Sequence, residues 1–360
     1  MKFGMLVSDS PRNIDPVEQL DGLLRQVEVG QENGLSYFDI GQHFLYGELR
    51  WLQPIPVLAR LAAEIDDHVR LGATILLAPL YNPVILAEEI ATLDIITRGR
   101  LDVGLGLGYR KDEFALLNVP FKERVSRFEE CLEIMKLCWA MEDFDYHGRH
   151  WRIEGATPHI QCVQEPHPPI WMGAHSRVGA RRAGRVGDCF TIPPEYDIHE
   201  MRVRLGIMAV GFEERGKALG HQPVRRNTFV GPTTDEAISQ FVKVSRDRYL
   251  AYAQKELDRY DEQELMRNFF ETVKDSVAVG TAQQVIDHLT LLAKELPVDP
   301  IVIRPEWPGM TIDEVVENME VMGREIIPAL AEVPPMPIED IPSSLASVAD
   351  EVAREIEILG

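Results

Sequence analysis

The stretch Arg98–Phe114, RGRLDVGLGLGYRKDEF, decides the fold. A short apolar run, LDVGL, leads through glycines at every second position (Gly104, Gly106 and Gly108) into a charged, helix-like segment. Glycine lets a backbone approach a ligand or a neighbour closely, so a strand running into such a loop points to a bound cofactor. The competing interpretation is a glycine-weakened strand followed by an ordinary turn. A dinucleotide-binding fingerprint needs glycines at x, x+2 and x+5. The third position here is Tyr109 counted from Gly104 and Lys111 counted from Gly106, so that motif is excluded.

Outward from this stretch the chain alternates between strand-like and helix-like patterns. Upstream lie the apolar run Val69–Ala78, closed by Pro79, and the helical spacing of Val84–Thr97; downstream is a helix over Glu123–Met141 with the stripe Phe128, Leu132, Met135 and Trp139. Earlier units are the strand Lys2–Val7, the helix Asp15–Gly34, the strand Tyr37–Ile40 and a helix around Val57–Glu64. Later ones are strands at Pro169–Gly173, Asp188–Ile192, Arg226–Val230 and Asp299–Arg304, separated by helices. Thr233 with Glu236, Thr281 with Gln284 and Thr311 with Glu314 read as capping boxes. About eight such units imply parallel strands with helical crossovers, a (β/α)₈ TIM barrel with insertions; an open doubly wound sheet is the alternative.

Two segments break the alternation. Asp143–Cys162 reads as a hairpin turning at His147-Gly148, and the polar segment Gln254–Asp275 lacks a clean apolar stripe and reads as a mobile excursion. The barrel domain is expected over residues 1–331. The remainder, 332–360, is a proline-rich and amphipathic tail, either a frayed appendage or, as the helical spacing of Val348, Val352 and Ile356 favours, an arm packing on a neighbouring subunit. A homodimer or higher homo-oligomer is expected.

A formal charge of −21 argues against nucleic acid and against an anionic membrane surface as partners. Four cysteines without paired spacing fit a cytoplasmic chain with reduced thiols, and Cys131 and Cys138 share one helix face as small apolar residues. His147, His150, His159 and His167 lie in or near the hairpin without metal-ligand spacing, so no metal is expected. No GxxxxGK[ST] phosphate loop, HExxH or G-x-S-x-G elbow occurs.

On a barrel, functional groups gather where strands end. That rule selects Gln42 and His43; Tyr81 and Asn82; Gly106, Gly108 and Tyr109; Ala174, His175 and Ser176; and Arg304, Glu306 and Trp307. In GAHSRVGARRAG, Gly173 and Ala174 permit close backbone approach, and a helix starts at Ser176 with free N–H groups and the positive end of its dipole, which together suit an anion. Phe44, Tyr46, Trp51 and Trp307 are expected at the mouth, which favours a largely apolar organic substrate.

Four blocks in this order resemble the bacterial luciferase-like flavin monooxygenases: LGATILLAPLYNPVILAEEIATLDIITRGRLDVGLGLGYRKDEF from Leu71, FKERVSRFEECLEIMKLCW from Phe121, PHPPIWMGAHSRVGARRAGRVGD from Pro166, and VGTAQQVIDHLTLL with VIRPEWPGM from Val279. The resemblance spans residues 1–331. It implies a barrel that uses reduced FMN and O2 to oxygenate an organic substrate, in many members with a separate NAD(P)H:flavin reductase. A sister group uses a deazaflavin coenzyme for hydride transfer, and a non-catalytic flavin-binding barrel is a third possibility. The resemblance also implies a non-proline cis peptide at Thr74–Ile75 under the flavin ring, and a ring lying against Gly106, Leu107 and Gly108. It assigns the flavin phosphate to Gly173, Ala174, His175 and Ser176, and the polar excursion to a mobile active-site loop. The chain departs from the luciferase pattern twice. Gln42 stands where a catalytic histidine is expected, which leaves His43 as the candidate base, and Leu107 stands where an arginine faces the phosphate, which makes Arg177 the candidate cation.

Overall fold

The computed structural model describes residues 1–7, 10–47, 49–253 and 262–359. Eight parallel strands form the wall of a barrel: β1 Phe3–Val7, β2 Tyr37–Ile40, β3 Arg70–Leu77, β4 Leu101–Gly106, β5 Ile170–Gly173, β6 Cys189–Thr191, β7 Gln222–Val230 and β8 Val298–Arg304. Each lies beside its sequence neighbour, and β1 pairs with β8 through Phe3↔Ile301 to Met5↔Ile303. The seam between β6 and β7 is closed more thinly. The Ile192 N–H donates to the Pro223 carbonyl at 3.2 Å and the Arg225 N–H to the Ile192 carbonyl at 3.1 Å.

Inside this ring Leu6, Tyr37, Trp171 and Val302 pack together, while the alternate strand residues Met5, Phe38, Leu71, Val103, Ile170 and Ile301 face outward and are buried with Ile90, Phe128 and Met135 of the helices Pro83–Ile96 and Arg124–Trp139. The Thr281–Gln284 and Thr311–Glu314 capping boxes form in full, each satisfying orphan N–H groups of its helix start. All four cysteines are free thiols. The hairpin forms from Phe144–His147 and Arg152–Ala156, with the Gly148 N–H bonded to the Trp151 carbonyl at 2.9 Å.

The sequence pattern did not anticipate a ninth strand, Val277–Gly280, which pairs with the second half of β7 from Asn227↔Val277 to Val230↔Gly280. It helps enclose a second, aromatic core of Phe229, Phe241, Tyr249, Phe269 and Trp307. Of the expected excursion 254–275, residues 254–261 lie outside the described residues. Glu262–Val273 is helical and buries Leu265, Phe269 and Val273 in this second core, so that part is packed structure.

The tail is also corrected. Helix Ala349–Leu359 lies against the chain's own helix Ile198–Glu213, with Ile341, Val348 and Val352 buried. Gly206 makes this possible, since a Cβ there would meet Val352 Cγ2 at 2.7 Å. Among the described residues, no helix is long and apolar enough to cross a membrane.

Candidate active site

A cavity of about 530 Å³ opens at the carboxyl ends of the barrel strands, within the range of small-molecule sites. The strands place their residues around it: Leu6 from β1, Gln42 and His43 after β2, Thr74 and Ile75 from β3, Gly106 to Tyr109 after β4, Gly173 to Ser176 after β5, Thr191 from β6, Arg225 and Asn227 from β7, and Arg304 from β8.

The floor is built on β3. The Thr74–Ile75 peptide is cis, and the β3–β4 register shifts between Ala73 and Leu76. The Ile75 side chain lies across three glycines of the neighbouring strands. A Cβ would meet it at 2.8 Å from Gly104, 2.6 Å from Gly106 and 2.7 Å from Gly173. The glycines therefore seat Ile75, and Ile75 forms the shelf of the cavity.

Beneath it, Arg225 Nη2 donates to Asp39 Oδ2 at 2.8 Å, to the Thr74 carbonyl at 2.6 Å and to Thr74 Oγ1 at 2.5 Å, while Thr74 Oγ1 also bonds Asp39. Burial pushes the Asp39 carboxyl above its usual range, and Arg225 and Thr74 oppose that shift.

One side of the wall is aromatic. His43 Nδ1 lies 3.0 Å from Glu113 Oε1, which also accepts from the Phe44 N–H at 2.8 Å. Glu113 is fully buried, with Arg110 Nη1 at 3.5 Å. A carboxylate accepting from Nδ1–H fixes the imidazole tautomer and leaves Nε2 as a proton acceptor. Trp51 meets the His43 ring edge-on at 4.9 Å, and Tyr109 at 5.9 Å. Burial pushes the Tyr109 phenol well above its usual range, so it is a neutral wall.

Gln42 is a brace: its Oε1 accepts from the Leu77 N–H at 3.0 Å, and its Nε2 donates to Gln53 Oε1 at 3.0 Å and to the Tyr81 hydroxyl. Asn82 caps helix Pro83–Ile96.

The other end of the cavity is cationic. Ser176 caps helix Arg177–Val186, accepting from the Gly179 N–H at 3.1 Å, and Lys111, Arg124 and Arg182 line the same cavity. Free N–H groups, the helix dipole and three cations form a site for an anion such as phosphate. The Trp51 Nε1, Tyr109 hydroxyl, Thr191 Oγ1 and Arg225 Nε atoms are buried on this cavity without a hydrogen-bond partner among the described residues. A flat heteroaromatic ring system carrying a phosphate fits such a set: shelf below, aromatic wall beside, orphaned polar atoms around it and an anion seat at one end.

Three expectations need correction. Trp307 is fully buried in the second core, its Nε1 bonded to the Thr228 carbonyl at 3.2 Å, and is not part of the mouth. Arg177 faces away from the cavity. Its guanidinium is held by Glu200 at 2.7 Å, Glu351 at 2.9 Å and Glu355 at 2.7 Å, and Lys111, Arg124 and Arg182 supply the positive charge instead. Phe44 and Tyr46 stand behind the wall: Tyr46 is buried beside His43 with Arg110 over its ring at 4.5 Å, while Trp51 does line the cavity. The residues missed by sequence reasoning are Glu113, Arg225 and Asp39, together with the cations Lys111, Arg124 and Arg182. Lys111 and Glu113 carried a signal, the charged start of the segment after the glycines.

Residues 1–299 match the model of the luciferase-like monooxygenase family. The chain is 25% identical over 342 residues to the oxygenase component of a flavin-dependent trigonelline monooxygenase of Acinetobacter baylyi, covering 87% of this chain and 90% of that protein. It is 37% identical over 179 residues to an F420-dependent glucose-6-phosphate dehydrogenase of Segniliparus rotundus, covering 47% and 51%. Among solved structures, the monooxygenase RslO1 of Streptomyces bottropensis superposes with a TM-score of 0.79 at 24% identity, over 91% of this chain and 99% of that one, a likeness of fold.

Proposed function

Because the chain belongs to the luciferase-like monooxygenase family, we propose that it is the oxygenase component of a two-component FMN-dependent monooxygenase, supplied with reduced FMN by a separate NAD(P)H:flavin reductase. The observation that carries this reading is one cavity holding both an anion-binding helix start and a histidine whose Nδ1 is committed to a buried carboxylate. Ser176 and the N–H groups behind it, with Lys111, Arg124 and Arg182, would hold the phosphate, and Ile75 would support the ring. Reduced FMN, when bound, supplies two electrons, so that one atom of O2 enters the substrate and the other leaves as water. The chain's own part is to exclude water with Trp51 and Tyr109 and to move a proton at His43 Nε2. Glu113 positions that histidine. Exposed Ile85, Ile95 and Ile96 on one helix support a homodimer.

The test is oxygen uptake with the purified chain and a candidate substrate. Uptake coupled to product is expected only when a reductase delivers reduced FMN, with ¹⁸O from ¹⁸O2 in the product. Turnover with NAD(P)H and no reductase would count against the two-component form. His43→Gln and Glu113→Gln should each lower turnover by about a hundredfold, the scale of a lost general base, while FMN affinity is kept.

A second reading is a deazaflavin-dependent dehydrogenase on the same barrel, favoured by the relative named for its F420 dependence. Titration of reduced FMN against reduced deazaflavin separates the two. Tight binding of the deazaflavin alone, with no oxygen in the product, would establish the second. Tight binding of oxidised FMN with no turnover across a substrate panel would favour a non-catalytic flavin-binding barrel.

A further inference from the structure

We propose that Arg110 is a positioning residue for the base: its charge, acting through Glu113, keeps His43 Nε2 free to accept a proton. The inference rests on the oxygenase reading, in which that nitrogen moves the proton, and adds a residue to it.

Burial is the first observation. Arg110 and Glu113 stand three residues apart at the start of helix Lys111–Leu116, and both side chains are 1% exposed. Charges held this far out of water persist where an opposite charge or hydrogen bonds answer them. Arg110 Nη2 donates to Asp112, whose side chain is half exposed, and Nη1 lies 3.5 Å from Glu113 Oε1. Water can stand in for Arg110 at Asp112 but not at Glu113.

Convergence is the second. One oxygen, Glu113 Oε1, faces His43 Nδ1 at 3.0 Å, accepts from the Phe44 N–H at 2.8 Å and meets Arg110 Nη1. Glu113 Oε2 has no hydrogen-bond partner among the described residues, so a proton there would have no acceptor. A proton added to the buried pair therefore belongs to the contact between Oε1 and the imidazole. If Oε1 carries it, Oε1 donates to Nδ1 and the ring's own hydrogen sits on Nε2. If the ring carries it, both nitrogens are protonated. Either way Nε2 can no longer accept. A buried anionic pair takes up such a proton when its cation is lost, which makes the charge of Arg110 the determinant.

The surroundings are the third. The Arg110 guanidinium lies 4.5 Å over the Tyr46 ring, which stands 5.0 Å from the His43 ring. The imidazole also meets Trp51 at 4.9 Å, Tyr109 at 5.9 Å and Tyr252 at 6.2 Å. Phenol and indole rings are neutral near pH 7, so they add no formal charge to the contact. Arg248 stands one ring further out, over Tyr252.

The test reads the ring nitrogens of His43 by ¹⁵N-histidine NMR on the full, cofactor-free chain, with His43→Gln for assignment. Near neutral pH the parent should show Nδ1 protonated and Nε2 bare. Arg110→Met and Arg110→Gln should hold a proton on Nε2 about tenfold or more tightly, while Arg110→Lys, which keeps the charge, should match the parent within about threefold. With reduced FMN and substrate, the two neutral variants should lose about tenfold in kcat near neutral pH with KM kept, and recover it as the pH is raised. A protonated Nε2 in the parent near neutral pH, or an unchanged Nε2 in folded Arg110→Met or Arg110→Gln, would overturn the proposal. So would a loss of kcat that high pH does not recover, because Arg110 would then serve packing alone. Arg110→Gln keeps an N–H donor for Asp112, so the measurement survives if Arg110→Met does not fold. If the ring nitrogens respond as expected but neither parent nor variants turn over with reduced FMN, the oxygenase reading falls and the positioning of His43 stands.

Discussion

At the cavity floor Asp39, Arg225 and Thr74 hold one another inside the barrel, whereas at the rim Ser176, Arg177 and the acids of the C-terminal helix meet partly in water. Both regions hold charges in hydrogen-bonded groups, but the surroundings differ. In the floor a lone charge has no solvent to turn to, so the group is part of what keeps the barrel folded. At the rim, water and salt compensate for a lost partner, so the same kind of contact tunes ligand binding and leaves the fold intact.

The sharpest way to break this contrast is at Arg225. Arg225→Leu leaves Asp39 buried and unpaired and should cost about 3–5 kcal/mol in urea unfolding, while Asp39→Asn combined with Arg225→Leu should recover most of the loss. The pH dependence has a fixed sign. Burial already raises the Asp39 pKa, and loss of Arg225 raises it further. A carboxyl with a folded pKa above its unfolded value binds protons more readily when folded, so the variant's deficit should shrink as pH falls from 7 toward about 4. A deficit that is flat with pH would mean that the cost arises from packing and not from charge.

Next in size is the shelf. Gly106→Ala drives a Cβ into Ile75 and should cost about 1–3 kcal/mol, and Ile75→Ala in the same chain should restore part of it by vacating the space. If the double variant is no better than the sum of the two, the glycines do not serve Ile75.

At the rim, Ser176→Ala removes a helix cap and should cost about 1 kcal/mol, while weakening FMN more than riboflavin, which lacks the phosphate. Equal weakening of both would remove the turn from the phosphate seat.

The smallest effect on stability is expected from Glu351→Gln with Glu355→Gln, about 1 kcal/mol or less. Removing two negative charges near the helix start should tighten FMN a few-fold, leave riboflavin unchanged and fade in high salt. A large loss of stability would show that the rim, too, is structural.

The legible parts of the molecule are those with a local period. Apolar runs bounded by Pro79 or Gly34 mark strands and helices, the Thr–x–x–Gln/Glu pairs at 281 and 311 mark helix starts, and the count of units gives the barrel. The helix start at Ser176 was legible for the same reason, since a cap acts on residues three positions away. Val277–Gly280 was not, because so short a strand offers no pattern until β7 pairs with it. Trp307 follows a strand end as a mouth residue would, yet Phe241 and Tyr249, more than fifty residues earlier, take it into their core.

The sequence by itself determined the alternation, the helix starts, the closely spaced glycines and the family, because each depends on neighbours within a turn or two of chain, or on the order of blocks. Only the tertiary structure decided what those features face. It seats Ile75 on Gly104, Gly106 and Gly173, sets Arg225 against Asp39 across 186 residues, sets His43 against Glu113 across 70, and draws Arg177 away to Glu351 and Glu355. Such partners meet because barrel closure and helix packing bring distant segments together, and no local pattern encodes which charge a buried arginine will answer.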